Sequence, residues 1–479
     1  MNYRMIKNTL GWLMIFEAGF FLVPMITAVV YGEWRSLIAF GLSGLLCLGI
    51  GFLCVRRKPE KTVIFAREGF VIVSLSWILL SVFGALPFIF SGVTTNFFDA
   101  LFETASGFTT TGSSIFREVE SLPRAILMWR SFMHWVGGMG VLVFIMVFLP
   151  LGGGQNMHIM RAESTGADVS KLVPRVKHTA VILYSIYLAM TVILFIVLLI
   201  AKMDLFEAIN TAFATAGTGG FGFKNDSFAS YSPLQQWIVT FGMLFFSINF
   251  NAYYLILRLK LRDAFNSEVR TFILIVAAAI GIITLNIYQS YGSAWEALRH
   301  ASFSVASLIS TTGFSTENFD LWPAISQTIL VLIMFIGGCA GSTAGGMKVS
   351  RWLIAIKGFI REIFTLIHPK QVKKITLDGR PVDGEVVRSV SSYIVCFAML
   401  FIGSLLVISL DGRDLVTNFT AVAATINNIG PGLSGVGPAA NFADFSNLSK
   451  LMLTFNMIAG RLELFPMLVL LSPATWKKA

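Results

Sequence analysis

The stretch 98-FDALFETASGFTTTGSS decides the fold, because the chain repeats its pattern three more times, as 206-FEAINTAFATAGTGGFG, 299-RHASFSVASLISTTGFS and 416-VTNFTAVAATINNIGPG. Each is a moderately apolar segment of about 10–15 residues that runs into a glycine-bearing turn, too short to cross a bilayer. Aligned on Gly112, Gly220, Gly313 and Gly430, the copies carry Ala100, Ala208, Ala301 and Asn418 twelve positions earlier. Six positions earlier stand Ser106, Ala214, Ser307 and Ala424, small in every copy. The glycines are 108, 93 and 117 residues apart, a period of about a hundred.

Working outward, each segment lies between long apolar runs. About 20 apolar residues suffice to span, and ten runs qualify: 8–31, 36–55, 69–91, 125–150, 178–201, 234–257, 271–290, 324–358 (interrupted), 389–410 and 450–472. The predicted fold is therefore an all-α polytopic membrane protein, with four parallel span–half-helix–filter–span repeats around a pseudo-fourfold pore, preceded by two extra transmembrane helices. The boundaries are 1–62 for the two leading helices, then 63–158, 159–262, 263–368 (with a broken second span) and 369–479 for the four repeats. All four copies share one orientation, unlike the inverted repeats of many secondary transporters. Irregular backbone at membrane depth survives only buried in protein or lining a water-filled cavity. Four equivalent turns can converge on one axis, where half-helix C-terminal ends offer negative dipole ends and unpaired carbonyls. A ring of carbonyls replaces a cation's hydration shell, so the expectation is a cation pore.

Composition agrees. The 479 residues are 55% apolar and 13% charged, with mean hydropathy +0.75. Soluble chains run nearer 45–50% apolar and about 25% charged, which excludes a soluble enzyme and a disordered protein together. The net charge of +10 follows from topology. With both termini cytoplasmic, 26 of 36 Lys and Arg lie inside, nine lie outside and Arg461 falls within the last span, as the positive-inside rule requires. Nucleic acid need not be invoked, and membrane lipid is the surrounding partner. The first run is too long for a signal peptide and lacks a small-residue cleavage pattern, so it is expected to stay. Four cysteines exclude a disulfide scaffold and a cysteine-rich zinc protein; Cys47, Cys54, Cys339 and Cys396 read as small core residues. The histidines show no metal-ligand spacing, and His134 and His300 read as caps or pairs within the bundle. Residues 217-GTGGFG match a dinucleotide fingerprint, but no strand precedes them and they face outward. From Gly341 to Lys348 a phosphate loop fails because Met347 separates Gly346 from Lys348.

Together with 337-GGCAGSTAGGMK, the four turns resemble those of the Trk/Ktr/HKT superfamily of potassium transporters, and the two leading spans resemble its bacterial TrkH/TrkG branch. The resemblance implies potassium uptake, with K+ as the transported ion and no covalently bound cofactor. It also implies a homodimer with one pore per subunit, a cytosolic nucleotide-binding regulatory subunit of the TrkA type, and the bacterial cytoplasmic (inner) membrane. Carried onto this chain, the filter is Thr110, Thr111, Gly112 and Ser113; Thr218, Gly219, Gly220 and Phe221; Thr311, Thr312, Gly313 and Phe314; and Asn428, Ile429, Gly430 and Pro431. In the family's logic a Ser at the shared glycine favours sodium, so four glycines imply potassium. The fourth turn, with Asn427, Asn428 and Pro431, departs most. One shared glycine per turn suggests looser selectivity than the longer filter of tetrameric potassium channels.

The same resemblance assigns a gate. Gly337, Gly338, Gly341, Gly345 and Gly346 each disfavour helix by about 1 kcal/mol relative to Ala, so a regular helix stops here. The family makes this segment, with Ser342 and Thr343, a flexible plug; a plain break between two helices is the competing reading. Lys348 either holds the plug or snorkels to the interface. Arg461, near mid-span, costs about 2.5–3.5 kcal/mol to insert. The family has a basic residue there as an electrostatic barrier, and the alternative is a buried pair with Glu463 or Glu17. Gly137, Gly138 and Gly140 read as packing glycines. Outer acids, including Asp99, Glu103, Asp204, Asp320, Asp411 and Asp414, either concentrate cations at the mouth or favour half-helix N-termini.

Cytoplasmic loops 151–177 and 359–388 are the expected partner surface. The alternation and Asp378-Gly379 in 370-KQVKKITLDGRPVDGEVV predict a short hairpin, against a solvated basic loop near anionic lipid. A proton- or sodium-coupled symporter on the same scaffold is the alternative function, and Glu17, Arg461 and Glu463 are its ionisable candidates. A membrane enzyme would need a nucleophile–base or metal constellation, which the sequence does not offer.

Overall fold

The computed structural model describes residues 1–57, 65–140, 176–371 and 374–477. Six helices there are long and apolar enough to cross a membrane: Tyr3–Tyr31, Trp34–Val55, Ala66–Phe90, Ala180–Ile200, Ser267–Ser290 and Gly384–Asp411. Their outer faces expose Leu45, Phe52, Leu53, Ile193, Leu274 and Leu406. Lipid tails are the solvent for such faces, and every backbone polar group is met within the helix.

Between the spans lie four short helices, Phe97–Phe108, Leu205–Ala216, Ala294–Ile309 and Leu415–Ile426. We refer to them as pore helices one to four. Each starts where a polar side chain accepts an orphan N–H of the first turn: Asn96 from Phe98, Asp204 from Phe206, Ser293 from Glu296 and Asp414 from Thr417. Their small residues are buried; Ala100, Ser106, Ala208, Ala214, Ala301, Ser307 and Ala424 are inaccessible, so second spans pack close behind them.

Three of the four second spans depart from straight helices, each in a different way. The first is helical over Arg124–Gly138, and residues 141–150 of that run lie outside the described residues. The run 234–257 is not one straight span: Pro233–Phe246 and Phe250–Leu257 meet at 91°. Asn249 restarts the helix there by accepting from the Asn251 N–H at 2.8 Å. The eighth run is interrupted as expected, into Ala324–Ile336 and Val349–Ile367. The last run also breaks, just after Arg461, where Glu463 and Leu464 take φ of +56° and +69° before Phe465–Leu471 resumes.

The predicted hairpin is present, pairing Thr376 with Pro381 and Leu377 with Arg380. Asp378 and Gly379 have φ of +49° and +77°, the two positive values a type I′ turn needs. Of the other expected partner loop, residues 151–175 lie outside the described residues, as does His158.

Candidate functional site

Each pore helix ends in the same cap. The N–H groups of Thr111, Gly219, Thr312 and Ile429 reach back five residues to the carbonyls of Ser106, Ala214, Ser307 and Ala424. Those of Thr110, Thr218, Thr311 and Asn428 reach back three, to Gly107, Thr215, Leu308 and Thr425. This bond pair is the Schellman motif. It puts Thr110, Thr218, Thr311 and Asn428 at φ of +53° to +59°, a conformation that non-glycine residues adopt at a cost. Two residues on, Gly112, Gly220, Gly313 and Gly430 have φ of +82°, +81°, +86° and +104°. The fourth turn thus keeps the shared backbone pattern despite its different sequence, and its glycine is the widest of the four.

The four turns close a ring. A Cβ on Gly112 would lie 2.1 Å from the Gly219 carbonyl oxygen, one on Gly220 1.8 Å from that of Thr312, and one on Gly313 2.1 Å from that of Ile429. A Cβ on Gly430 would lie 2.9 Å from the Thr111 oxygen, which returns to the first turn. In every case the facing carbonyl belongs to the residue just before the next glycine. The four glycines also share the wall of one cavity of about 130 Å³, with Ser113, Phe221 and Pro431.

Buried polar groups brace the ring from behind. Glu103 of pore helix one accepts from Arg130 Nε at 2.7 Å, the Ile115 N–H at 2.9 Å and Ser114 Oγ at 3.1 Å. Arg130 also donates to the Gly222 carbonyl at 3.0 Å and stacks 4.0 Å from the Phe221 ring centre. His134 Nε2 accepts from the Phe221 N–H at 3.1 Å, which leaves Nδ1 to donate to the Gly107 carbonyl at 2.8 Å. A Cβ on Gly219 would sit 2.1 Å from that imidazole, so the second turn carries Gly where the first and third carry Thr. In the fourth, Asn428 Nδ2 donates to Thr111 Oγ1 at 2.9 Å and to the Met457 carbonyl at 2.8 Å.

Beneath the ring runs the glycine-rich segment; it bonds directly to the second, third and fourth repeats, and Arg461 links it to the first. The Gly345 N–H donates to Thr311 Oγ1 at 2.6 Å, and the Gly346 N–H to the Asn427 carbonyl at 3.0 Å. Thr343 Oγ1 donates to the Phe246 carbonyl at 3.0 Å, at the bend of the second repeat. The Arg461 guanidinium joins the rest: to Thr343 O at 2.8 Å, Thr110 Oγ1 at 3.1 Å, and the Gly137 and Gly138 carbonyls at 2.6 Å each. Glu463 pairs with Arg351, whose guanidinium covers the Tyr393 ring at 4.2 Å. Lys348 is buried, and its Nζ donates to the Ala344 carbonyl; it folds back onto the segment and does not snorkel.

Several sequence readings need correction or completion. Gly137 does pack closely, since its Cβ would lie 1.8 Å from the Phe108 carbonyl oxygen, but its carbonyl and that of Gly138 also hold Arg461. Glu103 and Asp99 do not line an open mouth. Burial and the Arg130 pair enclose the first, and Lys450 Nζ lies 2.6 Å from the second. Most other outer acids named above serve as caps or clamps: Asp320 accepts from the Ser434 N–H and Asp411 from the Ser446 N–H. Hydrogen bonds from the Thr417 hydroxyl and N–H hold the Asp414 carboxyl below its ordinary range. Sequence reasoning missed the bend at Ser247–Asn249, for which Asn249 and Asn251 inside an apolar run were the available signal. It also missed Glu268, which sits just ahead of a predicted span.

The family model TrkH, described as a cation transport protein, matches residues 45–478. The chain is 37% identical to the Trk system potassium uptake protein TrkH of Escherichia coli strain K12, over 100% of both chains. It is 33% identical to the Trk system potassium uptake protein TrkG of the same strain, over 99% of both. Among solved structures it superposes on the crystal structure of the potassium transporter TrkH from Vibrio parahaemolyticus with a TM-score of 0.89, at 32% identity and full coverage of both chains.

Proposed function

The chain belongs to the TrkH family of cation transport proteins, and on that premise we propose that it takes up potassium through a channel-like pore across the bacterial inner membrane. The family transports ions and is not an enzyme family. The selectivity filter in this reading is the ring of turns, with the carbonyls beside Gly112, Gly220, Gly313 and Gly430 replacing the water of K+. The closed ring of glycines facing one cavity is the observation that carries it. Segment 337–348 and Arg461 form the gate below, and a cytosolic TrkA-type subunit acting on a homodimer controls it.

The position of the ionisable groups favours a gated pathway over symport. The Glu17 carboxylate packs with Thr104 and Phe108 around Gly84, behind the first pore helix and away from the ring. Glu463 is engaged by Arg351. The test is cation flux into liposomes holding the purified protein, with imposed K+, Rb+, Na+ or Li+ gradients and clamped pH. K+ and Rb+ flux should exceed Na+ and Li+ flux and ignore a pH gradient; flux that requires a proton or sodium gradient would move the assignment to the symporter. Arg461→Ala should raise flux, because it removes the central positive charge and the guanidinium that links the segment, at the Thr343 carbonyl, to Thr110, Gly137 and Gly138 of the first repeat. Unchanged flux in a folded variant would remove Arg461 from the barrier.

A further inference from the structure

The segment beneath the ring is held at both its ends by one carboxylate oxygen. Glu268 Oε1 accepts from the Ala340 N–H at 2.7 Å, near the start of the segment, and from the Ser350 N–H at 3.2 Å, just after its end. Glu268 is buried and belongs to the first turn of helix Ser267–Ile287, whose Asn266 cap accepts from the Val269 N–H at 3.0 Å. Ser350 is itself in the first turn of helix Val349–Ile367. The carboxylate therefore satisfies an orphan donor at the positive end of that helix while also pinning the segment's opposite end. Further bonds support this arrangement: the Val349 N–H donates to the Gly338 carbonyl at 3.1 Å and the Cys339 N–H to that of Ser247 at 2.9 Å. Those bonds are backbone to backbone. Glu268 is the side chain that joins Ala340 to Ser350, across a break where glycines supply no helical stiffness.

The helix end that carries Glu268 is fixed in turn from the cytoplasmic hairpin. Asp378, in the hairpin turn, accepts from the Ser267 N–H at 2.8 Å and from Ser267 Oγ at 2.6 Å. Lys357 Nζ donates to the Thr376 carbonyl at 2.8 Å, so the same hairpin holds the helix that leaves the segment. The hairpin thus contacts, at Ser267 and at Lys357, the same two helices that Glu268 bridges.

We propose that Glu268 is a positioning residue that holds segment 337–348 across the pathway, with the hairpin at Asp378 as the handle through which the hold is released. The inference rests on reading that segment as the gate. Losing a hydrogen bond to a charged acceptor changes an equilibrium by about tenfold or more, so Glu268→Ala should raise Rb+ flux through the purified protein by about that factor. Glu268→Gln, whose side-chain oxygen still accepts from both N–H groups, should stay near wild type. The readout that a merely structural role would not move is the buried Cys339 thiol. In a background with the other three cysteines replaced by Ser, a cytosolic maleimide should label Cys339 faster in Glu268→Ala and at the basal rate in Glu268→Gln.

Arg461→Ala is run beside them. If it raises flux while folded Glu268→Ala leaves flux and labelling at basal values, the tether is wrong and the gate stands. If neither variant raises flux, the gate reading falls and the tether with it. Should Glu268→Ala fail to fold, Glu268→Asp, shorter by one methylene, takes its place under the same two criteria.

Discussion

The outer and inner halves of this molecule are built on opposite plans. In the outer half, four pore helices end in one cap with the same hydrogen bonds and the same sequence of positive φ values. In the inner half, the second spans share little. One bends by 91°, one is interrupted by twelve residues with five glycines, and one breaks just after an arginine. On the proposed function the contrast has a physical reason. An ion that sheds its water must be met from four sides at once, so each repeat is held to one backbone. A barrier needs one obstruction across the axis, so each repeat was free to supply a different piece of it.

The largest expected effect tests the regular half. Gly220→Ala sets a methyl 1.8 Å from the Thr312 carbonyl oxygen at a φ of +81°, where the obstructing atoms are backbone and the methyl has no rotamer by which to escape. It should abolish potassium uptake, read as Rb+ entry into cells that lack other uptake routes. Gly281→Ala is the matched control: beyond its own helix backbone no atom lies within 4 Å of its Cβ, it sits mid-helix, and uptake should stay at wild type. Gly430→Ala, with a clearance of 2.9 Å, should rank as the mildest of the four ring substitutions. Retained uptake in Gly220→Ala would break the idea that the four turns form one ring.

A smaller effect separates stability from transport. Arg130→Met leaves Glu103 buried without its cation, and removing one partner of a buried pair costs about 3–5 kcal/mol. The variant should melt markedly lower in detergent. Adding Glu103→Met should recover much of that loss, because a packed apolar pair is often as stable as the ionic one. If the double variant melts well yet loses K+ preference, the pair serves to shape the turns at Ser114 and Gly222; if preference survives, bracing is not specific to ions.

The same contrast governs what could be read from residues alone. Four glycines with small residues six positions earlier made the outer half legible, since a repeat announces itself by spacing. The cap geometry behind it was hidden, because Thr110, Thr218 and Thr311 carry no sign that they sit at positive φ. The inner half had no repeat to betray it. Arg461 was conspicuous as a charge in an apolar run, but three of its four acceptors are the carbonyls of Gly137, Gly138 and Thr343, and a backbone oxygen leaves no mark on a sequence. Glu268 looked like an ordinary acid at a helix start, and only folding sets it against Ala340 and Ser350. Gly219 is the reverse case: its departure from Thr was visible, and the imidazole that explains it was not.

The smallest effect concerns a difference inside the regular half. Pore helix one is capped by Asn96 and pore helix three by Ser293, both neutral, whereas Asp414 caps the fourth with a carboxylate. Asp414→Ala should destabilise by about 1 kcal/mol, the usual worth of a cap, while Asp414→Asn keeps the acceptor and should change little at neutral pH. The charge adds a pH dependence that the neutral caps lack. The Asp414 carboxyl titrates below its unfolded value in the folded protein, so the unfolded chain takes up the proton first. Its contribution is fully present above the unfolded value of about 3.9 and is lost as pH falls through the lower folded value. Melting curves of the wild type and Asp414→Asn should therefore run in parallel above that point and converge or cross below it. Curves that stay parallel through acid pH would mean that the carboxylate caps the helix only as a neutral acceptor does, and that the four pore-helix starts are as equivalent as their ends.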